Sequence, residues 1–203
     1  MASRWRAGRT GFAALALAAA LAAQPVRAGG ARLEWHAAPT ENLEHIDIAT
    51  LGAARQTIDI AAYVLTDWAI MDALRAASAR GVAVRIVLDG SQFAPRNAAA
   101  PFLALAAAPN VAIRVKPSQP DIMHLKAYMV DARLLRTGSA NFSASGLKRQ
   151  ENDLLLIEDP AIVRAFGDTF EQIWDQSVGA EKIEREAADD SQDRWRDRRR
   201  AKP

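Results

Sequence analysis

A chain of 203 residues without cysteine cannot rest on disulfides or thiolate zinc sites, and its three histidines show no zinc-type spacing. Half of the residues are hydrophobic, enough to bury a core and exclude a disordered polymer. The formal charge of +2 lies at the ends: removing residues 1–28 takes away four arginines and no acid, so 26 basic against 24 acidic residues become 22 against 24, and bulk charge gives no case for nucleic-acid binding.

In chain order, Arg4, Arg6 and Arg9 precede an alanine- and leucine-rich run from Phe12 to Ala23, and Val26-Arg27-Ala28 offers the small residues a signal peptidase reads. Residues 1–28 are therefore expected to be a cleaved leader that sends the protein to the periplasm or outside the cell. An uncleaved membrane anchor is the lesser alternative, because a run of about twelve apolar residues falls short of the roughly 20 that span a bilayer. Arg32 to His36 reads as a first strand, Pro39-Thr40 with Glu41 opens a helix to about Ala54, and Thr57 to Tyr63 is a β-rich apolar strand. Asp67 is placed to cap a helix whose Ile70, Ala73, Leu74 and Ala77 recur at helical spacing until Gly81. Val82 to Leu88 reads as a buried strand, followed by a looser segment around Gln92 to Pro101 and a short helix. Val111 to Val115, Met123 to Val130, Leu134 to Thr137 and Leu154 to Ile157 supply further strands, and Pro160 begins a last helix through Trp174. The alternation predicts one α/β domain over residues 29–178, a mixed sheet with helices on both faces. From Gly179 to Pro203 the apolar period is lost and a charged, flexible tail is expected.

Within this frame His124, Lys126, Asp131, Gly138, Ser139 and Asn141 form H-x-K-x4-D-x6-G-S-x-N. On a strand, His124 and Lys126 point to one face, setting a nucleophile or base beside a fixed positive charge. A glycine lets backbone approach a ligand, and Ser139 and Asn141 can donate to phosphate oxygens. A phosphodiester transition state gathers charge on its nonbridging oxygens, so a lysine and donors around it supply electrostatic stabilisation.

Six fixed positions at fixed gaps make the match specific, and the motif resembles the signature of the phospholipase D superfamily. The resemblance extends over about residues 33 to 176. Ile58-Asp59-Ile60-Ala61-Ala62-Tyr63, Arg80-Gly81-Val82 and Val84-Arg85-Ile86-Val87-Leu88-Asp89 are similar to the small single-motif bacterial endonucleases of that superfamily. It implies a phospholipase D-like fold and metal-independent phosphodiester hydrolysis without a cofactor. It also implies that His124 forms a phosphohistidine, that Lys126, Ser139 and Asn141 hold phosphate, that Glu151 fixes the histidine tautomer and that Asp131 supports the site from further away. The family chemistry uses two histidines and this chain carries one motif, so a homodimer pairing two copies of His124 is expected.

His36 and His45 lack the motif context and read as structural or surface residues, although His36, at the end of the first strand, is the candidate for an acid within one chain. Trp35, Trp68 and Trp174 read as packing residues or surface anchors, and Asp189 and Asp190 as solvated acids. Nucleic acid is the favoured substrate, bound by local clusters such as Arg114 with Lys116, Arg133 with Arg136, Lys148 with Arg149, or by Arg194 to Arg200 with Trp195. A phosphatidyl ester, phosphatidylcholine or cardiolipin, is the alternative for the same chemistry.

Overall fold

The computed structural model describes residues 31–93, 100–117 and 120–180. The expected leader over residues 1–28 and the tail beyond Ala180, with Asp189, Asp190, Trp195 and the arginine run, lie outside the described residues.

Eight strands form one mixed sheet in the order β1-β7-β6-β5-β2-β3-β4-β8. They are β1 (Arg32–Ala38), β2 (Thr57–Ala62), β3 (Ala83–Asp89), β4 (Val111–Lys116), β5 (Lys126–Val130), β6 (Leu134–Thr137), β7 (Asn152–Glu158) and β8 (Val178–Gly179). β2, β3 and β4 run parallel, and every other pairing is antiparallel. The central strands are apolar because the sheet is covered on both sides. One face carries α1 (Leu43–Gly52), α2 (Trp68–Ala79) and α3 (Ala100–Ala106) over Ile58, Ile60, Val84, Ile86, Tyr128 and Val130. The other packs Val163, Phe166 and Phe170 of α4 (Pro160–Asp175) on Ala61, Val87, Ala127, Met129 and Leu135. Alternate residues of β2 and β5 therefore feed different cores, as a period of two requires.

The expected fold class is present, and most elements lie within two residues of their predicted bounds. Asp67 caps α2 as expected, accepting hydrogen bonds from the Ala69 and Ile70 amides. Two boundaries differ for local reasons. The helix expected from Pro39 begins at Leu43, because Asn42 is the cap and accepts from the Glu44 amide. The strand expected from Met123 begins at Lys126, where its partner β2 ends at Ala62, so His124 precedes the strand. β8 pairs with β4 through Val178 and Gly179, so the sheet continues to the residue where the tail was expected to start.

Candidate functional site

The chain direction of each strand explains why distant residues meet. The C-terminal ends of β1, β2, β3 and β6 and the N-terminal ends of β5 and β7 share one edge of the sheet, because Ala62 pairs with Lys126, Ala38 with Asn152 and Thr137 with Leu155. The carboxyl ends of parallel strands are where open α/β sheets place their ligands. Here that edge gathers Tyr63, Asp89, His124, Lys126, the loop from Gly138 to Asn141, and the start of β7 with Asp153.

His124 is exposed, whereas Lys126 is buried with 7% of its surface exposed. Lys126 Nζ lies 3.1 Å from His124 Nδ1 and donates to the His124 carbonyl at 2.7 Å. An ammonium can only donate, so a hydrogen bond here needs Nδ1 as the acceptor. The Tyr63 ring packs against the imidazole at 4.3 Å between centroids, with Lys126 Nζ 4.7 Å from the Tyr63 centroid. The aromatic face favours the charged lysine, while burial strips its water and lowers its pKa below the ordinary 10.5. The backbone before the histidine is pinned as well: the Met123 amide donates to Asp89 Oδ2 at 2.7 Å, and Asp89 is fully buried.

The second half of the motif is built on a turn that only glycine fits. Gly138 has φ +146°, and a side chain there would run into the Asp153 carbonyl. Ser139 is exposed, but its hydroxyl donates to Asp153 Oδ1, its amide donates to the same oxygen at 2.9 Å, and its Oγ accepts from the Asp153 amide at 2.9 Å. Ser139 is thus tied to Asp153, and those bonds hold the Asp153 carboxyl below its ordinary range. Asn141 is half-buried, and its Oδ1 is the one buried side-chain polar atom among the described residues without a partner. Glu151 is exposed and shares a shallow hollow with Trp35, Ser139 and Asp153. Among the described residues, no hydrogen bond joins Glu151 to His124.

Asp131 lies at the far end of β5. Its carboxylate accepts the amides of Arg55, Gln56 and Thr57 at 2.9, 2.7 and 2.9 Å, a staple between the β5–β6 turn and the start of β2. Burial would raise this carboxyl, but the three amides outweigh it and hold it below the usual range. His36 is on β1 with Nδ1 2.8 Å from Glu41, and it lines a cavity with Arg32, His45, Arg133 and Glu158. That cavity also includes Val130 and Leu134, at the Asp131 end of the sheet, so His36 does not line the His124 site.

The candidate basic clusters are largely spent on the protein itself. Arg136 is fully buried against Asp47, which removes it from any surface cluster with Arg133. Arg133 pairs with Glu158, Lys148 with Glu44, and Arg114 stacks 4.4 Å from the Trp174 centroid while donating to its carbonyl. Trp35 and Trp68 are exposed to 63% and 66%, whereas Trp174 packs on Phe170. Among the described residues, no cluster of three or more His, Asp and Glu is placed to hold a metal ion, and no helix is long and apolar enough to cross a membrane.

Sequence reasoning did not assign Asp89, Tyr63, Asp153 or Arg136 to the site. For Asp89 and Arg136 a signal was available, since each is a charge inside or closing a largely apolar strand. Asp153 and Tyr63 gave none.

This end of the sheet, where His124 and Lys126 gather with the glycine-serine loop, is the candidate site of the fold. The family model described as cardiolipin synthase, PLD-like domain, matches residues 48–174, and the chain belongs to that phospholipase D-like family. The chain is 32% identical over 130 residues to the human mitochondrial cardiolipin hydrolase, covering 64% of this chain and 50% of that protein. It is 34% identical over 125 residues to a phospholipase D of Rickettsia bellii, covering 61% and 58%. The chain thus spans about half the length of the curated relatives it matches. Among solved structures, the phospholipase D family member Nuc from Salmonella typhimurium aligns with TM-score 0.64 at 25% identity, over 73% of this chain and 97% of that one. NucT from Helicobacter pylori shares the fold at TM-score 0.66 and 21% identity, over 73% and 99%.

Proposed function

We propose that this protein is a metal-independent phosphodiesterase that works through a phosphohistidine and acts as a non-specific endonuclease on DNA or RNA. The observation that carries the reading is the contact of Lys126 Nζ with His124 Nδ1 at 3.1 Å on the open edge of the sheet. As a phosphodiester arrives, its nonbridging oxygen takes over the lysine's hydrogen bond, which frees the imidazole lone pair for attack on phosphorus. The N–P bond forms as the P–O bond to the leaving group breaks, and the leaving oxygen takes a proton from a second histidine. That histidine then removes a proton from water, the resulting oxygen attacks phosphorus, and the N–P bond breaks.

The second histidine is His124 of another copy, because His36 and His45 border the cavity at the opposite end of the sheet. Glu151 accepts a hydrogen bond from the other ring nitrogen of His124 once the substrate is seated and so fixes its tautomer, and Asn141 turns its amide to the phosphate. Ser139 holds the loop through Asp153 and reaches phosphate by giving up its hydroxyl bond. Asp131 acts on the site only through the fold. Residues 1–28 are the export leader in this reading, and the protein works in the periplasm or outside the cell.

The nuclease reading is supported by the resemblance to small single-motif endonucleases and by the nearly full-length match to Nuc. A phosphatidyl ester, cardiolipin included, is the second reading. The curated relatives named cardiolipin hydrolase and phospholipase D favour it, as does Ile122, 50% exposed two residues before His124. The two readings separate in a panel of plasmid DNA, single-stranded DNA, RNA and cardiolipin vesicles in excess chelator, run with wild type and His124→Ala. Cleavage of nucleic acid by wild type alone is expected. Headgroup release with intact DNA moves the assignment to lipid, and activity lost with divalent metal removal overturns the mechanism. Sedimentation is expected to give an active dimer, and an active monomer contradicts the paired site.

A further inference from the structure

We infer that Arg136 is a positioning residue that fixes the two halves of the phosphate site to each other, a role that rests on the reading of Lys126 and the Gly138–Asn141 loop as that site. Arg136 lies in the middle of β6, pairs across the ladder with Tyr128, and has no solvent exposure. Its Nε and Nη2 donate to the two oxygens of Asp47 on α1 at 2.9 and 3.0 Å. Its remaining terminal nitrogen, Nη1, donates to the carbonyl of Lys126 at 2.8 Å and to that of Ala140 at 3.3 Å. Ala140 stands between Ser139 and Asn141, so a single guanidinium holds the backbone of the phosphate-side lysine and of the donor loop. The Phe142 ring covers it at 4.6 Å, and Tyr128 donates its hydroxyl to Asp47 Oδ1 at 2.9 Å, completing a sealed network.

Stability alone does not call for this arrangement. A buried ion pair is often no better than apolar residues of equal volume, because desolvation offsets the attraction. Arginine's planar fork, however, can satisfy a bidentate carboxylate while a further N–H reaches elsewhere, which neither an apolar residue nor a lysine can do. Here that spare nitrogen ends on the two segments that must hold a phosphate between them. Displacements of about 1 Å in such segments can cost on the order of 100-fold in rate.

The test compares Arg136→Lys with Tyr128→Phe in the full chain, on bis(p-nitrophenyl) phosphate, with thermal unfolding and amide hydrogen exchange. Tyr128→Phe removes a hydroxyl from the same network but leaves both carbonyl contacts in place. Arg136→Lys is expected to lower kcat about 10- to 100-fold with KM within about threefold. Amides of residues 126–128 and 139–142 should exchange faster together. Tyr128→Phe should lower the unfolding midpoint while kcat stays within about twofold. A folded Arg136→Lys protein with wild-type kcat and exchange overturns the inference, as do kcat losses that follow the unfolding midpoint equally in both variants. If Arg136→Lys does not fold, Asp47→Asn, which leaves the guanidinium in place but loosens its anchor, is expected to show the same kcat loss, and wild-type kcat there overturns the inference. A wild type inert on the diester contradicts the proposed function, while the exchange comparison still decides the role of Arg136.

Discussion

The two ends of β5 carry charged side chains of one sequence motif and treat them in opposite ways. At its C-terminal end, Asp131 is satisfied by three backbone amides and joins two turns. At its N-terminal end, Lys126 is buried against an aromatic ring and an exposed imidazole, with no carboxylate partner among the described residues. A charge whose hydrogen bonds are filled by backbone stabilises the fold. A charge left facing a ring nitrogen is available to a ligand's anion. Membership of a motif therefore does not assign a role, whereas the partners of each group do.

The contrast is sharpest in activity. His124→Ala is expected to lower turnover by on the order of 10⁴-fold or more, without moving the unfolding midpoint, because the side chain is exposed. A smaller effect on activity would place the nucleophile elsewhere.

Next in size is Lys126. Replacement by methionine keeps the buried stem and removes the charge, with an expected loss of about 10² to 10³ in kcat/KM. Burial has lowered the lysine pKa, and the charged form is the active one. Its charge is therefore lost on the alkaline side earlier than an exposed lysine's, and kcat/KM should fall as pH rises, starting before the ordinary lysine value of about 10.5 is reached. Lys126→Arg should flatten that limb, and a limb unchanged in the arginine variant would assign it to another group.

Asp131→Ala should show the reverse profile, with stability reduced by about 2–3 kcal/mol and kcat within about threefold at a temperature where the variant is folded. The sign with pH follows from its lowered carboxyl. The folded form holds fewer protons than the unfolded chain, so the contribution is complete above the ordinary carboxylate pKa of about 3.9 and is lost as pH falls through the lower folded value. Unfolding midpoints of wild type and Asp131→Asn should therefore converge on acidification below about pH 4.

The fold was legible because its strands are short apolar β-rich runs, and the capping residue Asp67 and the proline opening the last helix mark their elements plainly. Site membership was legible for His124 and Lys126, whose spacing is local. What sequence could not give is which acceptor each donor meets across the sheet. Arg133 and Arg136 look alike as basic residues three apart, yet one pairs with Glu158 at the surface and the other is sealed against Asp47, 89 positions away. Ser139 reads as a free donor until β7 brings Asp153 beside it. His36 reads as a neighbour of the cleft until the direction of β1 places its ring with Glu41 and Glu34 over another cavity.

The most direct test is to quench the full-length protein within milliseconds of mixing with a phosphorus-labelled phosphodiester and to map the label. Acid-labile, alkali-stable label on the peptide containing His124, absent in His124→Ala and undiminished in chelator, is the predicted result. Turnover with no label on His124 under conditions that slow hydrolysis, or label on another residue, would contradict the account.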